Sequence, residues 1–213
     1  MLALERIPHV CFLVAVDHMN RPLALLLPAL LMAGWIGCAR NRPDLQSNFP
    51  VPDVFGKSVQ PLACATNRAV VLVFLANECP ISNRAIPELR RLHVTFAARG
   101  IAFWFVHPNA DETDVSVRQH ATEYELPGTP LRDPGLKLAR AVGAQVTPTA
   151  VVISPRGEVL YRGRINDRYT ALGQSRPEPT THDLEHALES VLAGRVPAPA
   201  QTRAVGCHLV GAL

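Results

Sequence analysis

The stretch that decides the fold is AVVLVFLANECPIS, residues 69–82. Its first half is an unbroken apolar run rich in β-branched residues, the pattern of a strand buried on both faces. From Pro80 the apolar residues Ile81, Ala85, Leu89, Leu92 and Phe96 recur at spacings of four and three, which predicts one face of a helix ended by Gly100. Proline suits a first helical position, because its missing N–H costs nothing there, whereas Pro87 predicts a kink further along. Cys79 therefore sits at the mouth of a helix, just beyond a buried strand. Unpaired amide groups and the positive end of the helix dipole favour a thiolate at such a place. That placement can draw a cysteine from about 8.5 down to roughly 3.5–7.5. Ser82, on the first turn, is spaced to donate a hydrogen bond to the sulfur. Glu78 opposes this, since a neighbouring carboxylate disfavours a second negative charge.

Working outward, KSVQPLACATNR (57–68) reads as a short hairpin arm turning at Thr66 and Asn67. IAFWFV (101–106) predicts a second buried strand, with Phe103, Trp104 and Phe105 in the core. The polar loop HPNADETD and a helix over VSVRQHATEY follow. DPGLKLARAVGA reads as a short helix closed by Gly143. TAVVI, the turn SPRGE and VLYRGRI form an antiparallel hairpin, and HDLEHALESVLAG a last helix with Thr180 and Asp183 in capping-box register. Arg164 and Asp167, just after the hairpin, either border the active face or pair at the surface. A β-α-β-α start followed by a hairpin and a closing helix is α/β with a mixed central sheet flanked by helices. No internal repeat is visible.

The chain has 213 residues, 48% hydrophobic and 18% charged, enough for one domain with a core and additional segments. A formal net charge of +3, with basic residues scattered rather than striped, argues against a nucleic-acid partner. Residues 19–38, MNRPLALLLPALLMAGWIGC, place Arg21 before an apolar run and Gly37 before Cys38, the order of a secretory signal. The ending is similar to a bacterial lipoprotein signal, which implies lipidation of Cys38 and a membrane tether, although Trp35 stands where Leu is usual. The pattern fits best with translation from Met19. The chain thus divides into a signal and lipoprotein-type N-terminus (1–40), a polar tether (41–48), a folded domain (49–194) and a C-terminal tail carrying Cys207 (195–213). Export to the periplasmic face of a membrane places the five cysteines, Cys11, Cys38, Cys64, Cys79 and Cys207, in an oxidising compartment, where disulfides persist.

With Cys79-Pro80 at the helix mouth and Thr147-Pro148 just before the hairpin, residues 49–194 resemble the thioredoxin fold. They are most similar to the redoxin branch that includes peroxiredoxin-like and membrane-tethered thiol-disulfide proteins of bacteria. The resemblance implies Cys79 as nucleophile, a cis peptide at Thr147-Pro148, and a substrate groove shaped by Pro80, Ser82, Thr147 and Pro148. Its partners would be protein thiols or disulfides, or a peroxide, with an external thiol reductant and no cofactor. This chain departs from the pattern in several places. Ser82 replaces the second cysteine of C-x-x-C, so no local disulfide can form. Val73 and Glu78 stand where thioredoxins carry a buried acid and a tryptophan. Ala76 stands where a peroxiredoxin carries threonine, which weighs against peroxide reduction by the usual geometry.

A single thiol attacking a disulfide is trapped until another thiol resolves it. Cys207, reached through the Pro-rich segment 194–201, is the preferred resolver, and Cys64 is the alternative. Two rival readings remain. One is a copper or haem-assembly protein using Cys79 with Cys207 or His208, and the other a non-catalytic binding module. His182 and His186 have metal-ligand spacing but read as a solvated helix face, so no metal site is assigned.

Overall fold

The computed structural model describes Leu45, residues 49–63 and residues 67–210. Cys11, Cys38 and Cys64, and with them the signal, lipidation and start-site readings, lie outside the described residues. In chain order the elements are β1 (Val51–Pro52), β2 (Ser58–Val59), β3 (Ala69–Phe74), α1 (Pro80–Ala97), β4 (Ile101–His107), α2 (Asp114–Glu123), β5 (Leu131–Arg132), α3 (Lys137–Val142), β6 (Val146–Thr147), β7 (Thr149–Ile153), β8 (Val159–Gly163), β9 (Tyr169–Ala171), β10 (Gln174–Ser175), α4 (Asp183–Leu192) and β11 (Cys207–His208).

The central sheet has the order β5-β4-β3-β7-β8. β3 runs parallel to β4 and antiparallel to β7, so the sheet is mixed, as the element order implies. Each residue of β3 is fully buried, because layers cover both of its faces. Val71 and Val73 pack with Ile86, Leu89, Leu92 and Phe96 of α1 and with Leu184 and Leu188 of α4. Val70, Leu72 and Phe74 pack with Leu138 and Val142 of α3, and Leu209 from the tail joins this second layer.

The buried face of α1 is rotated from the one read in the sequence. Ser82 and Ile86 are buried with Leu89, Leu92 and Phe96, while Ile81 and Ala85 are only half-buried. α1 remains a single helix through Pro87. The first hairpin pairs Val51–Pro52 with Ser58–Val59, so it lies upstream of the arm expected over 57–68. The expected capping box of α4 does not form: the helix begins after His182, which makes no side-chain cap. Thr180 instead donates its hydroxyl and its N–H to the carboxylate of Asp167, at 2.5 and 2.6 Å. The hairpin of β9 and β10 and the tail strand β11 carry no period-2 signal in the sequence and are found only in the structure.

Candidate active site

Cys79 is the N-cap of α1, in extended backbone (φ −89°, ψ 106°), with Pro80 at the first helical position. The chain reaches it from β3 through a tight turn in which the Cys79 N–H donates to the Ala76 carbonyl at 3.2 Å. Ser82 lies fully buried beneath, and its Oγ accepts the Ala76 N–H at 3.4 Å. From the other side come β6 and the cis peptide Thr147-Pro148. The Cys79 thiol donates to the Thr147 carbonyl at 3.3 Å.

The tail completes the site. β11 pairs antiparallel with β6, setting Cys207 opposite Thr147 and His208 opposite Val146. The two sulfurs of Cys79 and Cys207 are 3.1 Å apart, with the Cys207 thiol donating. A disulfide bond would be about 2.05 Å, and both cysteines are free thiols. Several contacts fix the approach. The Leu209 N–H donates to the Gln145 carbonyl at 2.9 Å, and the Thr202 N–H to the Arg162 carbonyl at 3.1 Å. Thr202 Oγ1 lies 2.7 Å from the Tyr161 hydroxyl. Gly206 packs so closely on the Thr147 carbonyl that any Cβ there would overlap it, which is why a glycine precedes the cysteine. So covered, Cys79 is 1% exposed.

These contacts split the two thiols electrostatically. Burial alone would raise the pKa of Cys79, but hydrogen bonds from the side chains and backbone of Ser82 and Cys207 outweigh it and hold the thiol below its ordinary range. Cys207 moves the other way: burial, its hydrogen bond to Cys79 and the charge there push it up to about 11. Of the two, Cys79 is the thiol that gives up its proton more readily and Cys207 the one that holds its proton longer. The lowering at the helix mouth was expected from the sequence, but the hydrogen bond from Cys207 that contributes to it was not.

The structure thus brings Cys79, Pro80, Ser82, Thr147, Pro148 and Cys207 together. A cleft of about 530 Å³ runs beside them, bordered by Ile81, Arg84, Pro148, Ile165 and Val205. Arg164, which also lines it, pairs with Asp183 at 2.8 Å. Asp167 is buried and bound to Thr180, Thr181 and Arg176. Among the described residues, Cys79, Cys207 and His208 do not form a three-ligand cluster. The one such grouping is Glu88, His182 and Glu185, and Arg91 already bridges both of its carboxylates at 2.8 and 2.5 Å. His186 is not part of it and is exposed.

Sequence reasoning missed a polar cluster behind the turn. Glu112, from the loop read only as polar, accepts the Asn77 N–H at 2.8 Å and lies beside buried His107 and Arg132. An acid lies behind the thiol after all, supplied by the β4–α2 loop rather than by β3, where Val73 is fully buried. The available signal was the pair of apolar flanks around His107 and Arg132, each at the end of a strand.

Residues 44–162 match the model of the AhpC/TSA family. A thiol-disulfide oxidoreductase ResA from Halalkalibacterium halodurans is 28% identical over 113 residues, 53% of this chain and 62% of that protein. A hypothetical protein from Sinorhizobium meliloti superposes with a TM-score of 0.67 at 23% identity, covering 76% of this chain and 90% of that one. The pneumococcal exposed lipoprotein thioredoxin from Streptococcus pneumoniae does so with a TM-score of 0.51 at 17% identity, covering 68% and 98%. At such identities the solved structures speak for the thioredoxin-like fold alone.

Proposed function

The chain belongs to the AhpC/TSA family, and from that premise we propose that it is a thiol-disulfide oxidoreductase in which Cys79 is the nucleophile and Cys207 the resolving thiol. The 3.1 Å separation of the two sulfurs carries this reading. It is supported by the opposite displacement of the two thiols and by the name of the ResA relative.

The tail first lifts from β6, since Cys79 is otherwise covered. The Cys79 thiolate attacks one sulfur of a partner disulfide. A Cys79–partner mixed disulfide forms, and the second partner sulfur leaves as a thiolate that takes a proton from water. Cys79 is then neutral, so the charge and hydrogen bond that pushed Cys207 up to about 11 are gone and Cys207 loses its proton more readily. Its thiolate attacks the Cys79 sulfur, the Cys79–Cys207 disulfide forms, and the partner leaves fully reduced. An external dithiol returns the pair to two thiols. Ser82 stabilises the sulfur anion while the tail is lifted, the Cys207 thiol and amide add to this while it is docked, and Pro148 shapes the adjoining groove.

The apolar run and small-residue ending of residues 19–38 support export, with a lipid on Cys38 as the tether. Among the described residues, no helix is long and apolar enough to cross a membrane. Mass spectrometry of the mature protein tests both readings at once. An N-terminal lipid on Cys38 and a Cys79–Cys207 bond in the oxidised form are expected, whereas a Cys64–Cys79 bond would transfer the resolving role. Cys79→Ser should abolish disulfide reductase turnover, and Cys207→Ser should accumulate the mixed disulfide. Full turnover by the Cys79 variant would end this reading.

A further inference from the structure

Three elements converge on the turn that carries Cys79. Asn77, two residues before the nucleophile, is held at three points. Its N–H donates to Glu112 Oε1 at 2.8 Å, its Nδ2 to the Ser116 hydroxyl at 3.3 Å, and its carbonyl accepts from Asn83 Nδ2 at 2.9 Å. Of these partners only Glu112 is a buried charge, with its side chain 7% exposed. A carboxylate that far from water needs partners, and they are present. His107 Nδ1 donates to Glu112 Oε2 at 3.2 Å, and Asn109 Nδ2 to Oε1 at 3.2 Å. Arg132 lies 3.7 Å from Oε2 and donates to the carbonyls of His107, Asn109 and Glu112 itself. Asp114 holds the same guanidinium at 3.2 Å, and His120 of α2 stacks edge-on against His107. Burial would raise the carboxyl of Glu112, but His107, the Asn77 amide and Arg132 keep it ionised. Burial and His107 hold His120 down at about 4, leaving it neutral at pH 7. The cluster thus fixes the Glu112 carboxylate so that its Oε1, shared with Asn109, grips the backbone of the nucleophile's turn.

We propose that Glu112 is a positioning residue for Cys79, fixing the Ala76–Cys79 turn so that the sulfur sits over the first amide groups of α1 and within reach of Ser82 and Cys207. This rests on the reading of Cys79 as nucleophile. Charge and position act on Cys79 in opposite directions, which makes the role separable. Loss of a nearby anion makes a thiolate easier to form, whereas loss of the turn's anchor takes the sulfur away from its donors and makes it harder.

The test follows alkylation of Cys79 by iodoacetamide against pH, read on the Cys79 peptide by mass spectrometry, in the full chain. Glu112→Ala should raise the midpoint by about one pH unit, slowing alkylation about tenfold at pH values well below both midpoints. Glu112→Gln keeps an acceptor for the Asn77 N–H, so its midpoint should stay at or slightly below that of the unaltered protein. An unchanged or lowered midpoint in a folded Glu112→Ala variant overturns the proposal. Should that variant fail to fold, hydrogen exchange at the Asn77 amide of the unaltered protein decides: protection is expected, and exchange at the rate of a free amide overturns it. If Cys79 of the unaltered protein titrates as a free thiol, near about 8.5, the nucleophile reading fails instead, independently of the amide result.

Discussion

Cys79 and Cys207 meet across 3.1 Å, yet the parts of the molecule that bring them there are built differently. Cys79 follows the fully buried central strand by a short turn and caps an 18-residue helix. Cys207 lies on a two-residue strand at the end of a Pro-rich segment. A short ladder to β6, the contacts of Thr202 and the side chain of Leu209 hold that strand in place. The same functional group is thus mounted once on the core and once on a strap. The difference suits the chemistry proposed above, in which the sulfur that would meet the partner stands on the core with its pKa held low, and the sulfur that would release the partner stands on the strap.

The contrast can be broken most severely by making the strap permanent. Oxidation would close a loop between residues 128 positions apart, so the oxidised protein should resist denaturant by about 4–5 kcal/mol more than the reduced one. Equal unfolding midpoints would mean that the bond strains the native fold by as much as it restricts the unfolded chain. Next in size, Leu89→Ala on α1 should cost the whole fold about 3 kcal/mol by opening a cavity against β3, visible as a lowered global midpoint. Leu209→Ala should cost about 2 kcal/mol of tail docking instead, leaving the global transition nearly in place while Cys79 alkylation quickens about 30-fold. If the two substitutions behave alike, tail and core are one cooperative unit. The smallest effect is electrostatic. In the reduced protein Cys207 should titrate at about 11. In Cys79→Ala it should fall toward the ordinary range, because the hydrogen bond and negative charge that favour its protonated form have been removed. Alkylation of Cys207 at pH 9 would then speed up, and an unaltered profile would mean that burial alone sets it.

The core half of this comparison was legible in the sequence and the strap was not. AVVLVF announces a two-faced strand because six residues in succession have nowhere polar to face. Cys79-Pro80 announces a helix start because proline belongs at the first position. Cys207–His208 has no strand signal of its own: its conformation is imposed by the open edge of β6, a tertiary effect that no local pattern encodes. Cys207 was singled out through chemical need, as a candidate resolving thiol, and the structure sets its sulfur 3.1 Å from that of Cys79. The phase of α1 was misread because Ser82, polar and yet fully buried, takes the place an apolar residue would mark. Thr180 has the spacing of a cap but the stronger acceptor, Asp167, lies outside the helix. Glu112 was hidden for a similar reason: a polar loop looks solvated until the strands beside it bury its ends.

Leu209 belongs to the apolar layer on the α3 side of the sheet, and Trp104 packs against that same layer. The protein therefore carries its own optical gauge. Departure of the tail takes a side chain out of that layer, and the expected outcome is a shift of Trp104 emission to longer wavelength, read by fluorescence without any label on either sulfur. Strap position can be followed in real time through turnover, and closure of the sulfur pair timed separately from its chemistry.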